Sequence, residues 1–303
     1  MAVYVVGDFL RETRLRKGYT QEEVSYGICT TASLSRIENG AQKPGRLILE
    51  KLFERLGTEN NLFNSFVSKE EMELYLEIQT LIRNVTDGDL QRIEEQIDIV
   101  DKLTKNTSEL ERQSLFWAKG ELATQKYGNN GEAMEYLMKA IQITLPDFDG
   151  INPLRNHLLT FDEITIINSI AVRHAEKNDL LTAIQLDMWL KEYMENKIVD
   201  GRMKTTKYPM IVYNLSCWFE DEKCYNEELK MANHGVDFCV KYGNLAAFPR
   251  LVLNKGVALT KLGDNDGAKK YLHQAITIFE AMQKNDTVQH IIAWCNKNCG
   301  FEI

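Results

Sequence analysis

Apolar residues along the first part of the chain recur at helical spacing, and the segments they define are short. Phe9, Leu10, Thr13, Arg14 and Lys17 share one helical pattern that stops at Gly18. Thr20-Gln21-Glu22-Glu23 has the form of a capping box, in which a Thr hydroxyl meets the N3 amide and a Glu reaches back. A second helix is therefore predicted from there to about Tyr26, with Gly27 permitting a sharp turn. Thr30 is placed to cap a third helix, Thr31 to Asn39, with Leu34 and Ile37 inward and Thr31, Ala32, Ser33 and Arg36 outward. Gly40, Pro44 and Gly45 interrupt the pattern. Leu47, Leu49, Leu52, Phe53 and Leu56 then predict a fourth helix, and Leu62, Phe63 and Phe66 a short fifth. These segments make one small helical domain, residues 1–66.

Beyond residue 67 the rhythm changes to long apolar-periodic stretches separated by short turns at 127–130, 177–179, 222–226 and 262–265. Aligning the turns brings Ala133, Ala183, Glu228 and Ala268 into register at spacings of 50, 45 and 40 residues, so the repeating unit is a pair of helices. Residues 70–106 supply at least two further helices and 286–299 a terminal one. Small residues recur where two helices would approach, at Gly120, Ala123, Ala171, Gly256 and Ala258, with Tyr136, Tyr271 and Phe279 in the next layer. This arrangement resembles tetratricopeptide repeats, most closely from Lys255 through Ala275. Such units bury their faces only by stacking, which implies a right-handed superhelix with a concave groove. The predicted fold is all-α: residues 1–66, a linker helix over 67–84, and a repeat domain over 85–303.

Composition agrees with a helical protein: 303 residues, 44% hydrophobic, 26% charged, only 5 prolines. The net charge of -8 would argue against nucleic acid if it were evenly spread. It is not. Residues 1–67 hold nine Lys/Arg against eight Asp/Glu, giving +1, and the remaining 27 basic and 36 acidic residues give -9. Any contact with a phosphate backbone must come from the N-terminal domain. No apolar run approaches the roughly 18 residues of a bilayer span. Met1–Val6 lacks the basic start of a signal peptide, so a cytoplasmic protein is expected. The six cysteines, at 29, 217, 224, 239, 295 and 299, contain no CxxC pair, and Cys295 and Cys299 have His290 nearby but no second ligand pair; neither metal nor cofactor is expected. The five histidines are scattered without a paired nucleophile, and no glycine-rich phosphate loop occurs, so no enzyme is expected.

Thr20-Gln21-Glu22-Glu23-Val24, Leu34-Ser35-Arg36-Ile37-Glu38-Asn39-Gly40 and Pro44 resemble the phage-repressor (XRE, Cro/C1) helix-turn-helix, in which the second helix of the motif enters the major groove of duplex DNA. That resemblance puts Thr31, Ala32 and Arg36 at base-facing places, with Thr30 and Ser33 beside them. A guanidinium can bond guanine O6 and N7 together, worth about 1–3 kcal/mol of discrimination, which singles out Arg36. Gln21, at a helix start, corresponds to the family's phosphate contact, and Gln42, Lys43 and Arg46 are backbone neighbours. Arg14 and Glu38 stand where the family has an internal ion pair.

The combination of this motif with a tetratricopeptide-like array resembles the Rgg/PlcR-type (RNPP) quorum-sensing regulators. The resemblance implies a homodimeric transcription factor acting on an operator, with a short signalling peptide bound in the repeat groove. Asn168, Asn214 and Asn254 lie 15, 14 and 14 residues before their turn markers, and the group's habit of gripping peptide backbone with helix-borne Asn fits them. Amides satisfied by neighbouring helices or water are the alternative. Arg173, Lys207 and Arg250 lie on or near the same helices and are expected to hold a carboxylate. Two other readings stay open: repeats that bind a protein or small molecule, and an adaptor that has lost DNA binding.

Overall fold

The computed structural model describes residues 6–58, 69–105, 107–197, 199 and 201–300. Four helices form the N-terminal domain: α1 (Val6–Arg16), α2 (Gln21–Ser25), α3 (Thr31–Glu38) and α4 (Arg46–Arg55). Thr20 closes the predicted capping box, and Thr30 caps α3 by accepting from the Ser33 amide. Leu10, Val24, Leu34, Ile37, Leu52, Phe53 and Leu56 are buried together, and Leu110 and Leu158 from much later in the chain join the same core. The predicted fifth helix, with Leu62, Phe63 and Phe66, lies outside the described residues.

Eleven further α-helices are described: α5 (Lys69–Asp87), α6 (Leu90–Leu103), α7 (Gln113–Tyr127), α8 (Asn130–Gln142), α9 (Phe161–Glu176), α10 (Leu180–Asn196), α11 (Gly201–Asp221), α12 (Tyr225–Tyr242), α13 (Phe248–Leu262), α14 (Asn265–Ala281) and α15 (Asn285–Asn298). Among the described residues there is no strand. The four predicted turns fall between α7 and α8, α9 and α10, α11 and α12, and α13 and α14, as a repeat of helix pairs requires. The position 84/85 lies inside α5, whose Leu74, Ile78, Leu81 and Val85 share one core with α6 and α7. The chain divides into two compact units. The first runs to Trp189 and takes in Tyr193–Gly201; the second holds Leu190–Glu192 and everything from Arg202 onward.

The repeat turns share one local chemistry. Each carries a residue in the left-handed region, Gly128, Asn178, Lys223 or Gly263. The next residue caps the following helix: Asn129, Asp179 and Asp264 accept from the Glu132, Thr182 and Gly267 amides. In the third turn the left-handed position holds Lys223, strained at φ 59, and Cys224 makes no side-chain cap. Cys224→Asn is therefore expected to stabilise the protein by about 1 kcal/mol, the usual worth of an N-cap, and Lys223→Gly by a similar amount. Chemical denaturation of each variant checks this, and a double variant should add the two gains.

In the second unit, Gly256 lets α13 and α14 close: a Cβ there would stand 2.8 Å from the Leu272 Cγ. The core that results contains Val257, Leu259, Ala268, Leu272, Ile276, Phe279, Val288, Ile291 and Cys295. α11 carries Pro209 inside the helix, which removes the amide that would bond the Thr205 carbonyl one turn earlier. Asn244 supplies the missing donor, its Nδ2 reaching the Thr205 oxygen at 2.7 Å.

Candidate nucleic-acid interface and ligand-facing helices

The base-reading set predicted on α3 is presented to solvent. Thr31, Ala32 and Arg36 are exposed, while Leu34 and Ile37 on the opposite face are buried. Side chains around Arg36 organise it in advance: its Nε donates to Gln42 Oε1 at 3.1 Å and its Nη2 to Ser33 Oγ at 3.3 Å. Ser33 in turn accepts from the Thr30 hydroxyl at 2.9 Å. Four of the predicted residues, Thr30, Ser33, Arg36 and Gln42, thus form one chain of hydrogen bonds at the exposed end of the motif. These partners hold the guanidinium in place with weak, exposed contacts that a base edge can replace. Lys43 is exposed beside them.

Scaffolding residues lie beneath. Arg14 and Glu38 form the expected ion pair in a two-pronged geometry, Nε–Oε1 at 2.6 Å and Nη2–Oε2 at 2.8 Å, both side chains buried. Gln21, predicted as a phosphate contact, spends its Nε2 on Glu38 Oε2 at 2.7 Å, so its amide braces the pair between α1 and α3. Arg46 stacks on the Tyr75 ring, its Cζ 3.7 Å from the centroid.

The predicted ligand residues divide between the two units. In the first, Asn168 Nδ2 donates to both oxygens of buried Asp187, at 3.1 and 2.9 Å. Arg173 is 5% exposed and meets Glu176 at 3.1 Å through Nη2, while its Nε and Nη1 are buried with no hydrogen-bond partner among the described residues. In the second unit, Asn254 is buried and its Nδ2 donates to Ser216 Oγ at 2.6 Å and Cys217 Sγ at 3.3 Å. Lys207 and Asn214 are half-buried. Arg250 is exposed, its Cζ 5.7 Å from the Tyr213 ring. At positions 168 and 254 the amide donors are used by neighbouring helices, the alternative that the sequence left open. Arg173 is the residue with donors left over.

Sequence reading missed a set of charged residues at the base of the N-terminal domain. Lys51 Nζ meets Gln113 Oε1 and Asp162 Oδ2, each at 2.7 Å. Arg55 Nη2 meets Glu163 Oε1 at 2.7 Å, with both side chains fully buried. The Phe161 amide donates to Glu54 Oε2 at 3.1 Å. Arg55 also bonds the Tyr26 carbonyl, and the Tyr26 hydroxyl bonds Asp147. Burial and the nearby Asp162 charge raise the Glu54 carboxyl above its ordinary range. Burial alone would lower the Lys51 ammonium, but the charges of Asp162 and Glu54 outweigh it and hold it raised. The one local signal was Thr160-Phe161-Asp162-Glu163, a capping box that the structure forms at the start of α9.

Residues 5–66 match the model of the helix-turn-helix domain, and residues 249–281 that of the tetratricopeptide repeat. Over 63 residues the chain is 38% identical to the uncharacterized HTH-type transcriptional regulator YqaF of Bacillus subtilis (strain 168), covering 20% of this chain and 83% of the relative. The chain belongs to the helix-turn-helix family of transcriptional regulators, XRE type, and carries tetratricopeptide-like repeats behind that domain. Among solved structures, its fold is similar to that of PlcR of Bacillus thuringiensis. The crystal structure of PlcR in complex with the peptide PapR7 and DNA matches with a TM-score of 0.62 at 18% identity, over 96% of this chain and 99% of that one. The apo form of PlcR gives 0.61 at 17% identity, over 95% and 98%. A putative transcriptional regulator from Listeria monocytogenes EGD-e matches at 0.51 and 14% identity, over 97% of each chain. No described helix is long and apolar enough to cross a membrane, and among the described residues no three His, Cys, Asp or Glu side chains gather as metal ligands.

Proposed function

We propose that the protein is a peptide-responsive transcription factor: a homodimer whose two α3 helices read an operator and whose repeats bind a short signalling peptide that shifts DNA binding. The observation that carries the DNA half is the exposed, pre-organised Arg36 on a near-neutral domain attached to a strongly acidic one. Sequence is then read by the guanidinium and register set by phosphate contacts around Gln42 and Lys43. The peptide half is supported by the two unpartnered guanidinium nitrogens of Arg173, whose chemistry suits a carboxylate, and by a fold shared with a protein that binds both peptide and DNA.

Such a peptide changes DNA affinity only by as much as it distinguishes two conformations of the protein. The test begins with a duplex selected by the protein from a random pool. A library of synthetic heptapeptides is then screened for any that change the protein's affinity for that duplex. A responsive peptide should bind at least tenfold more weakly to Arg173→Gln, measured by calorimetry. A library in which every peptide leaves affinity and footprint unchanged would remove the peptide half and leave the DNA half standing.

A further inference from the structure

The charged residues beneath the DNA-binding domain bear on how that domain is held. We propose that α9 is the strut that fixes the DNA-binding domain: Asp162 and Glu163 at its N-terminus clamp Lys51 and Arg55 of α4, while Asn168 and Arg173 sit further along the same helix. From Glu163 to Arg173 is ten residues, about 15 Å of helix. A displacement of α9 at either end therefore reaches the other with no flexible element between. The link to a ligand rests on the function proposed above; the clamp itself does not.

Five features make the clamp stiff. Arg55 and Glu163 are both fully removed from water, where an unpaired charge is far more costly than a paired one, so the two cannot slide past each other. Glu163 works with both oxygens: Oε1 holds Arg55, while Oε2 accepts from the Thr160 amide at 2.6 Å as part of the helix cap. The first turn of α9 and the grip on α4 thus depend on one carboxylate. Lys51 reaches a second anchor through Gln113, whose Nε2 donates to the Ala140 carbonyl at 3.0 Å and to Thr144 Oγ1 at 2.8 Å. Gly27, between α2 and α3 with φ 66, lies so close to the Thr144 carbonyl that a Cβ there would collide with it. Tyr26 beside it stacks edge-on against His157, ring centroids 4.5 Å apart. Shape and charge together seat the domain.

Hydrogen exchange on the full-length protein without any ligand tests the clamp. Glu163→Gln keeps an N3 side chain able to cap α9 but removes the charge that Arg55 needs. The expected result is a tenfold or greater loss of amide protection in α4 and in the first turn of α9 together, with α13–α15 unchanged as the sign of an intact fold. Removing both charges, Arg55→Met with Glu163→Gln, should restore most of that protection. Asp162→Asn, which takes no part in the cap, should loosen α4 in the same direction. On a selected duplex carrying two half-sites, Glu163→Gln should weaken binding while leaving affinity for one half-site within twofold, because α3 is untouched. Loss of protection confined to α9, with α4 as protected as before, would overturn the proposal, as would an equal loss of affinity on both duplexes. Neither result depends on whether a peptide is ever found.

Discussion

Arg36→Ala is expected to lower affinity for the selected operator by roughly 10- to 100-fold, the equivalent of about 1–3 kcal/mol lost from one two-pronged contact to guanine. The loss should be specific to sequence. Binding to unrelated duplex, which rests on phosphate contacts and counterion release, should change little beyond the removal of one positive charge. Arg36 is exposed and its side chain bonds Gln42 and Ser33 at the surface, so unfolding temperature should stay within a degree or two. Fluorescence anisotropy on both duplexes at two salt concentrations makes the measurement. Unchanged discrimination between them would show that α3 does not read bases through this residue. Gln42→Ala should produce a smaller loss in the same direction, since it removes an orienting partner and a neighbour of the backbone.

The second large effect concerns stability. Glu228 stands at the start of α12, at the place where the other repeat units have Ala133, Ala183 and Ala268. It is fully buried, and neither carboxylate oxygen has a hydrogen-bond partner among the described residues. Burial pushes its pKa up to about 8; the charges of Glu220 and Asp221 on α11 push the same way, and Lys261 on α13 only partly opposes them. The folded protein therefore holds a proton that the unfolded chain releases near the ordinary carboxylate value of 4.5. Between those two values the native state binds more protons than the unfolded one, so stability falls as pH rises from about 4.5 and levels off above about 8. At pH 7 the penalty is of order 3 kcal/mol, from 1.36 kcal/mol per pKa unit. Glu228→Gln, uncharged at every pH, should raise the unfolding temperature by several degrees at pH 7–8, have little effect near pH 4.5, and flatten the slope between them. A parallel pH dependence in wild type and variant would contradict this account.

Features encoded within a few residues were legible in the sequence. The Thr20 capping box, the Thr30 cap, the turn glycines and the alternating helix pairs all depend on neighbours three or four positions away, and the structure forms each of them. The Arg14–Glu38 pair was legible through its family motif. The hydrogen-bond partners of Asn168 and Asn254 were not, because an amide on a helix carries no local sign of which helix it faces. Only the packing gave Asn168 to Asp187 and Asn254 to Ser216. The bond from the Gln21 amide to Glu38 was hidden for the same reason, since a helix-start position does not announce a partner 17 residues away.

The chain by itself determined the class of protein, the helix-turn-helix and the rhythm of the repeats, since helix periodicity, capping and turn chemistry are local properties. Tertiary structure decided how the DNA-binding domain is held. Lys51 and Asp162 are 111 positions apart, and Arg55 and Glu163 are 108. Charges so far apart in sequence carry no shared pattern. They become a clamp only when folding brings them together and takes Arg55 and Glu163 out of water, and Glu228 likewise becomes a costly acid only because folding buries it.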